Sequence, residues 1–324
     1  MRAPPDREEA YREQVGTSGT DPEPPTVHIW HWYADPTGTT LGGPATRETS
    51  MTEHAVTTPD LKARHRAMWA LGDYPSVATD LIAALGPTLV GACGLRAGDR
   101  VLDVAAGSGN ASIPAARAGA AVVASDLTPE LLESGRARAE ALGLSLDWRE
   151  ADAEALPFGE DVFDAVISCV GVMFAPHHQT SADELVRVVR PGGTIGLLSW
   201  TPEGFIGQMF STMKPYAPPP PAGAQPPPLW GREDHVRALL GDRVAEVEAR
   251  REPLTVDRFG TAEEFRDFFK ARYGPTIAVY RAIADDPARV RALDDELAEL
   301  ARRHDLGDGR MEWEYLLLTA RKRG

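Results

Sequence analysis

The sequence predicts an α/β fold: a doubly wound, mostly parallel sheet with helices on both faces. The first observation is the stretch 101–110, VLDVAAGSGN, in which a short apolar strand runs into a glycine turn. The Ala-rich stretch 111–118 that follows has the pattern of a helix. The second observation is the regular alternation of strand and helix patterns over residues 100–201, which is typical of parallel sheets.

The predicted elements follow one another with clear breaks. Helices at 60–71 and 77–90 come before the sheet, and Ser76 is expected to cap the second of them. Thr128 is expected to cap a later helix whose first turn carries Pro129. In chain order from the sheet onward we expect strand 100–105, helix 110–118, strand 120–126, helix 129–142, strands 145–150 and 163–169, helix 179–189, strand 194–200, helix 232–240, strand 244–257, helices 261–272 and 275–303, and strand 311–319.

Bulk composition narrows the classes of function. The chain has 324 residues, 43% of them hydrophobic, which is enough for a sizeable core. Its formal net charge of −14 disfavours nucleic acid as a partner, because phosphates would be repelled. Cys93 and Cys169 are too few for a disulfide framework or a cysteine zinc site, and they fit a reducing cytoplasm. We find no signal peptide and no apolar segment long enough to span a membrane.

Residues 1–55 differ in composition from the rest of the chain. They are rich in Pro, Gly, Thr and charged residues and have no helical or strand periodicity, so we expect a disordered arm. Trp30, Trp32 and Tyr33 are a small aromatic exception within it. Because the helical pattern begins shortly after Met51, we expect that the natural protein starts there and that the preceding residues are dispensable.

The glycine turn indicates which kind of cofactor the sheet binds. A dinucleotide fingerprint requires Gly-x-Gly-x-x-Gly, but Gly107 and Gly109 are followed by Ser112 where the third glycine would stand. The pattern present is Asp103-x-Ala105-x-Gly107-x-Gly109. It resembles motif I of the class I S-adenosylmethionine-dependent methyltransferases, Asp/Glu-x-Gly-x-Gly-x-Gly, with alanine in place of the first glycine.

Three further segments strengthen this resemblance. Asp126 ends the second predicted strand, where an acidic side chain can accept both ribose hydroxyls. Asp152 follows the third strand, and its counterpart in the family binds the exocyclic amine of adenine, while the next amide, here that of Ala153, meets the ring. The corner 185–193, LVRVVRPGG, resembles the family's passage from helix to fifth strand.

The resemblance covers residues 60–201 and is nearest to the UbiE-like small-molecule branch, the methyltransferase type 11 group. It implies a Rossmann-like sheet of seven strands with an antiparallel last strand and a helical cap. It also implies S-adenosylmethionine as cofactor and a small-molecule acceptor, quinone-like or a secondary metabolite, methylated at O, N or C. The implied cofactor site comprises Asp103, Ala105, Gly107, Gly109, Asn110, Asp126, Leu127, Asp152, Ala153, Cys169, Trp69 and Tyr74.

Several roles within this site have alternatives. Asp103 either organises the glycine turn or meets the methionine amino group through water. Trp69 and Tyr74 either contact the sulfonium by cation–π attraction or pack in the core. Cys169 is expected to form part of the pocket wall rather than to act as a nucleophile, because nothing nearby would activate its thiolate.

His177 and His178 are the candidate catalytic residues. They follow the fourth strand on the acceptor side, where a histidine could take the acceptor's proton during methylation. The alternatives are a helix cap, a solvated pair, or transfer by proximity alone, which requires no base. A third ligand for a metal is not evident beside this pair, so we expect no metal.

The resemblance divides the chain into an N-terminal helical cap at 56–98, a cofactor-binding core at 99–201, a variable substrate or lid region at 202–310, and a last strand with its tail at 311–324. The eight prolines within 215–228 predict either a wall beside the substrate pocket or a stiff surface connector. The helical segment 261–303 is expected to cover the pocket. The alternative functions are an NAD(P)-dependent oxidoreductase and a non-catalytic S-adenosylmethionine-binding protein.

Overall fold

The computed structural model describes residues 58–324. The expected arm at 1–55, its aromatic residues at 30–33 and the expected start at Met51 therefore lie outside the described residues.

A seven-stranded sheet organises the described chain, in the order β3-β2-β1-β4-β5-β7-β6. Strand β7 is antiparallel to both β5 and β6, and the other neighbours pair in parallel. This confirms the predicted fold class, including the reversed last strand. The strands are β1 Arg100–Val104, β2 Ala121–Asp126, β3 Asp147–Glu150, β4 Phe163–Cys169, β5 Val189–Trp200, β6 Val244–Val256 and β7 Met311–Lys322.

Helices lie between the strands and beyond the sheet. The strand order reverses between β1 and β4, so right-handed crossovers place the connecting helices on opposite faces of the sheet. The α-helices described are α1 Thr58–Trp69, α2 Tyr74–Asp80, α3 Leu85–Cys93, α4 Ser112–Arg117, α5 Pro129–Ala141, α6 His178–Val188, α7 Phe205–Met213, α8 Glu233–Leu240, α9 Ala262–Arg272, α10 Gly274–Ala282 and α11 Pro287–His304.

The helix expected at 77–90 is in fact two helices, α2 and α3. Asp73, not Ser76, caps α2, since its carboxylate accepts the Ser76 amide hydrogen at 3.2 Å. In the chain between the two helices, the Ile82 carbonyl oxygen accepts both the Leu85 amide and the side-chain amide of Asn110, each at 3.0 Å. The segment between α2 and α3 is therefore hydrogen-bonded to the glycine turn.

Two other differences concern helices later in the chain. The stretch expected as one helix at 275–303 is interrupted at Asp286, whose carboxylate caps α11 by accepting the amides of Ala288 and Arg289. Helix α7 was not predicted, although its buried residues Phe205, Ile206, Met209, Phe210 and Met213 follow a helical spacing. Thr128 occupies the N-cap position of α5 as expected, but its hydroxyl makes no capping hydrogen bond.

The core continues from the parallel strands into the C-terminal helices. Val166, Ile167 and Ile195 of β4 and β5 are fully buried. At the other end, Trp313 of β7 stacks on Phe205 of α7 with ring centroids 5.2 Å apart. Helix α7 and the helices around it thus pack on the antiparallel strand β7.

No single helix among the described residues has both the length and the apolar character to cross a membrane, although the bent pair α2 and α3, with 71° between them, would satisfy those two criteria together.

Helix α3 approaches the glycine turn so closely that it must carry glycine at one position. A Cβ built on Gly86 would lie 1.8 Å from the carbonyl oxygen of Asn110, which is a backbone atom and cannot rotate away. Gly91 in the same helix has no atom within 4 Å of its would-be Cβ. Substitutions at Gly86 and Gly91 can therefore be compared, because the two glycines lie on the same helix and only Gly86 is in close contact with the turn.

We predict that Gly86→Ala lowers the free energy of unfolding by about 1–3 kcal/mol, because the methyl group would push helix and turn apart. Gly91→Ala should instead raise it by about 0.5–1 kcal/mol through helix propensity. Urea denaturation of both variants measures the difference. Equal effects of the two substitutions would show that α3 does not rest on the turn.

Candidate functional site

A cavity opens at the carboxyl ends of β1, β2, β3 and β4, with about 780 Å³ of space not filled by protein atoms, part of it open to solvent. The crevice between β1 and β4 is the point where the strand order reverses, and ligands of open α/β sheets bind at such points. Ten of the twelve predicted cofactor residues line it, namely Trp69, Tyr74, Ala105, Gly107, Asn110, Asp126, Leu127, Asp152, Ala153 and Cys169.

The carboxylate of Asp126 fixes the floor of the cavity. One oxygen accepts the amide hydrogen of Gly107 at 2.8 Å, and the other accepts that of Thr128 at 2.8 Å. Burial raises the pKa of Asp126, while the amides of Thr128 and Gly107 oppose this shift. Each carboxylate oxygen can accept a second hydrogen bond, so Asp126 can hold the turn and still bind hydroxyl groups from a ligand.

The turn itself adopts a left-handed backbone. Gly107 has φ of 54° and Gly109 of 83°, conformations that glycine adopts without strain. Ala105 also has φ of 54°, which costs an alanine about 1–2 kcal/mol. The first glycine of the motif is thus replaced by a residue that keeps the glycine conformation. Ala105 is packed closely against Gly171, since a Cβ built on Gly171 would lie 2.2 Å from the Ala105 carbonyl oxygen, so position 171 requires glycine.

Asp103 and Gly109 are the two predicted residues outside the cavity lining. The Asp103 carboxylate accepts the hydroxyl of Ser112 at 2.5 Å, at the start of α4. Burial, with a smaller contribution from Asp126, raises the pKa of Asp103 to about 7. This placement favours the organising role for Asp103. A Cβ on Gly109 would lie 2.7 Å from the ring of Trp148, so this residue faces the protein rather than the cavity.

Asn110 and Cys169 lie side by side at the crevice. The Asn110 amide reaches the Cys169 sulfur at 3.8 Å in addition to the Ile82 carbonyl. Burial raises the pKa of the Cys169 thiol well above its usual value. A thiol held protonated is a poor nucleophile, so its position fits a pocket wall.

Helix α1 brings two polar side chains that sequence reasoning missed, Lys62 and His65. Lys62 donates to Asp152 at 2.8 Å and lies 2.7 Å from Glu154. His65 lines the cavity, and burial, aided by the charge of Lys62, lowers its pKa to about 3, so it is neutral. The sequence signal that could have identified His65 was its place on the apolar face of the predicted helix, together with Leu61 and Met68.

An aromatic cluster closes the other end of the cavity. Trp69 makes edge contacts with Phe174 at 4.7 Å and with Tyr74 at 5.4 Å between ring centroids. Tyr273 lies behind them, 5.8 Å from Trp69. Burial raises the pKa of Tyr74 well above its usual value, so its hydroxyl is protonated. Val170 at the end of β4 has φ of 46°, a strained conformation for a β-branched residue.

The structure does not bring the candidate catalytic histidines into the cavity. His178 is fully buried, bonded to His235 at 3.0 Å and packed on Trp230, so its assignment as a base is not supported. Burial lowers its pKa to about 3. His177 caps α6 through its backbone, and Glu154 holds its ring nitrogen at 3.0 Å, which matches the capping alternative.

The expected cover also differs from the observed one. Among the described residues that line the cavity, none belongs to 202–310, so the segment 261–303 does not cover it in this structure. That segment contacts the aromatic cluster from behind, through Tyr273. The proline-rich segment lies beside the loop before α6, where the Gln225 amide donates to the Pro176 carbonyl at 3.0 Å. Helix α1 is what covers the cavity.

We predict that two buried histidines lower stability as the pH drops below 6.5, in opposition to Asp103, whose raised pKa favours the folded chain over the same range. His65 and His178 have pKa values lowered from 6.5 to about 3 in the folded chain, so at these two positions the unfolded chain binds more protons. Each histidine therefore removes up to about 1.4 kcal/mol of unfolding free energy per pH unit. Relative to the wild-type protein, His178→Gln should make the slope of unfolding free energy against pH less positive by up to about 1.4 kcal/mol per pH unit, in urea denaturation between about pH 6.5 and 5. An unchanged slope would contradict the burial of His178 as a neutral ring.

Comparison with known proteins adds to this geometry. A family model described as a methyltransferase domain matches residues 101–193. An uncharacterized protein of Mycobacterium tuberculosis is 61% identical over 258 residues, which are 80% of this chain and 94% of the relative. The structure of YcgJ from Bacillus subtilis aligns with a TM-score of 0.49 and 17% identity, over 74% of this chain and 98% of that chain.

The ubiquinone/menaquinone biosynthesis C-methyltransferase UbiE of Zymomonas mobilis is 30% identical over 184 residues, covering 54% of this chain and 67% of the relative. With the matched methyltransferase domain, this similarity excludes the NAD(P)-dependent alternative. The chain belongs to the class I S-adenosylmethionine-dependent methyltransferases, and its cofactor is S-adenosylmethionine.

Proposed function

We propose that the protein transfers the methyl group of S-adenosylmethionine to a small, uncharged, largely apolar acceptor. The observation that carries the proposal is the position of Asp126 and Asp152. They stand at the carboxyl ends of the neighbouring strands β2 and β3 and line the same cavity as the glycine turn. Two carboxylates so placed match the ribose hydroxyls and the adenine amine, which are the hydrogen-bond donors of the adenosine group.

The electrostatics of the cavity floor support this cofactor. Asp126 lines the cavity, and Asp103 lies just beneath the turn, near enough to Asp126 for its charge to raise the Asp103 pKa. S-adenosylmethionine carries a sulfonium and an ammonium group, whose positive charge offsets that of buried carboxylates. At the sulfonium end, Trp69 and Tyr74 offer ring faces that attract cations.

The wall at the aromatic end indicates the type of acceptor. It is formed by Val170, Val172, Phe174 and Trp69, none of which carries a charge. Tyr74 and Cys169 are the titratable groups described at this end, and both are kept protonated by burial. An anionic acceptor would lose its hydration here without gaining a partner, and a cationic one would compete with the sulfonium for the same rings, whereas an apolar ring would be well accommodated.

Two relatives fit this expectation. UbiE of Zymomonas mobilis is named for ubiquinone and menaquinone biosynthesis. A demethylmenaquinone methyltransferase of Clavibacter sepedonicus is 44% identical over 99 residues, which are 31% of this chain and 40% of the relative. We therefore favour a quinone-like or secondary-metabolite acceptor.

Catalysis in this site would depend on positioning. The cofactor supplies an electrophilic methyl group, so the protein's task is to align the acceptor atom with it and to exclude water. Trp69 and Phe174 supply the surface against which an acceptor ring can be held, and α1 covers the site. Burial lowers the pKa of His65 to about 3, which makes it a weak base, so we assign no proton transfer to it.

We predict that the protein binds S-adenosylmethionine and S-adenosylhomocysteine with about micromolar affinity and does not bind NADH, by isothermal titration calorimetry. Asp126→Ala should weaken binding of both ligands by about a hundredfold, because two charge-assisted hydrogen bonds are lost. Asp147→Ala, which removes an exposed acid at the opposite end of β3, should have no effect.

Transfer of a labelled methyl group from the cofactor to a panel of quinols and phenols then distinguishes the enzyme from a non-catalytic binding protein. Turnover that is lost in Asp126→Ala would support the enzyme. Tight binding with no turnover across the panel would favour the non-catalytic alternative, and binding of NADH would contradict the proposal altogether.

A further inference from the structure

Lys62 connects the covering helix to the end of the cavity that faces the nucleobase. Its ammonium group lies between two carboxylates, 2.8 Å from Asp152 Oδ1 and 2.7 Å from Glu154 Oε2. The side chains of Lys62 and Glu154 are only 13% and 7% exposed. An ion pair this buried is not an ordinary surface contact, because removing one partner leaves an uncompensated charge out of water.

The two oxygens of Asp152 are used unequally. Oδ1 accepts both the Lys62 ammonium and the backbone amide of Glu154, at 2.8 and 2.9 Å. Within residues 58–324, Oδ2 receives no hydrogen bond, although Asp152 lines the cavity. A carboxylate oxygen accepts about two hydrogen bonds, so Oδ1 is saturated and Oδ2 is the atom left for a ligand.

The two ends of α1 are held to the rest of the protein by different kinds of contact. Its carboxyl end is fixed by backbone packing: a Cβ on Gly274 would lie 2.3 Å from the Met68 carbonyl oxygen, and the Asp73 amide donates to the Arg272 carbonyl at 3.0 Å. Further toward its amino end, α1 is held by charged groups. Lys62 binds the carboxylates, and Arg66 pairs with Glu150 and donates to the Leu127 carbonyl at 3.0 Å.

We propose that Lys62 is a positioning residue for nucleobase recognition. By fixing Oδ1 of Asp152, it directs Oδ2 toward the exocyclic amine of adenine. The helix that covers the cofactor and the carboxylate that recognises its base are thereby joined in one contact. This inference rests on the proposed function, because it requires that the adenine of S-adenosylmethionine lies at Asp152.

The test compares two ligands that differ only in the recognised group. One is S-adenosylhomocysteine, and the other is its analogue with purine in place of adenine, which lacks the exocyclic amine. The wild-type protein should prefer the adenine ligand in calorimetric titration. Lys62→Met should reduce this preference by roughly tenfold, the value of one hydrogen bond to a charged group, mainly through weaker binding of the adenine ligand. Lys62→Arg, which keeps the charge, should restore most of the preference.

Arg64→Met provides the matched control. Arg64 lies on the same helix and carries the same charge, and the structure shows no hydrogen bond or ion pair for it among the described residues. This variant should keep the wild-type preference. Asp152→Ala should abolish the preference, and adding Lys62→Met to it should cause no further change, as expected for two residues that act through one group.

The possible outcomes separate the two claims. Equal weakening of both ligands in Lys62→Met would mean that the lysine only holds α1 closed, and it would overturn the inference, as would an unchanged preference. If the wild-type protein binds S-adenosylhomocysteine but does not distinguish the purine analogue, the inference also fails. If it binds neither ligand, the proposed function itself fails. Melting temperatures identify a misfolded variant, in which case Lys62→Gln takes the place of Lys62→Met.

Discussion

The Asp126 carboxylate holds together the two strand ends on which the site depends. It lies at the end of β2 and binds the Gly107 amide in the turn after β1, as well as the Thr128 amide at the start of α5. A buried carboxylate is costly unless its oxygens accept hydrogen bonds, and here each of them does. The glycine turn, the neighbouring strand and the next helix are thus fixed by one side chain. The same side chain lines the cavity, so the group that fixes the glycine turn is also available to a molecule bound there.

Around this floor, the cavity is completed by parts of the chain that are far apart in sequence. Helix α1 brings Lys62, His65 and Trp69, and β4 ends in Cys169 and the strained Val170. The C-terminal helices reach the site only from behind, through Tyr273. The segment 202–310 therefore supports the aromatic wall from behind, and none of its residues lines the cavity in this structure. An acceptor that needs more room would have to move α1, whose charged contacts lie toward its amino end.

Much of the fold could be predicted from sequence because its signals are local. The alternation of apolar strands and helices indicates a mostly parallel sheet with helices on both faces, and Gly107, Gly109 and Asp126 stand at strand ends that must meet at one edge. Helix breaks could not be predicted as well, because the gap between α2 and α3 depends on a tertiary hydrogen bond from Asn110 to Ile82. The sequence around Ile82 does not indicate that Asn110, 28 residues away, is its hydrogen-bond partner.

In the candidate site too, the features that depend on tertiary contacts could not be predicted from the sequence. Ten of the twelve residues predicted at the cofactor site line one cavity, whereas His177 and His178 were expected to face the acceptor because they follow β4 in sequence. Their side chains instead turn to Glu154 and His235. Lys62 was missed because its partners lie about 90 residues away on another element. Side-chain direction after a strand depends on which groups pack around it, and a sequence pattern does not contain this information.

The most direct test of the account is a crystal structure of the protein with S-adenosylhomocysteine. The account predicts density in the cavity with the ribose hydroxyls within hydrogen-bond distance of Asp126, about 2.5–3.0 Å, and the adenine amine at Asp152. The Asp126 contacts to Gly107 and Thr128 should be unchanged. A ligand bound elsewhere, or bound in this cavity with the ribose away from Asp126, would contradict the central role given to this carboxylate.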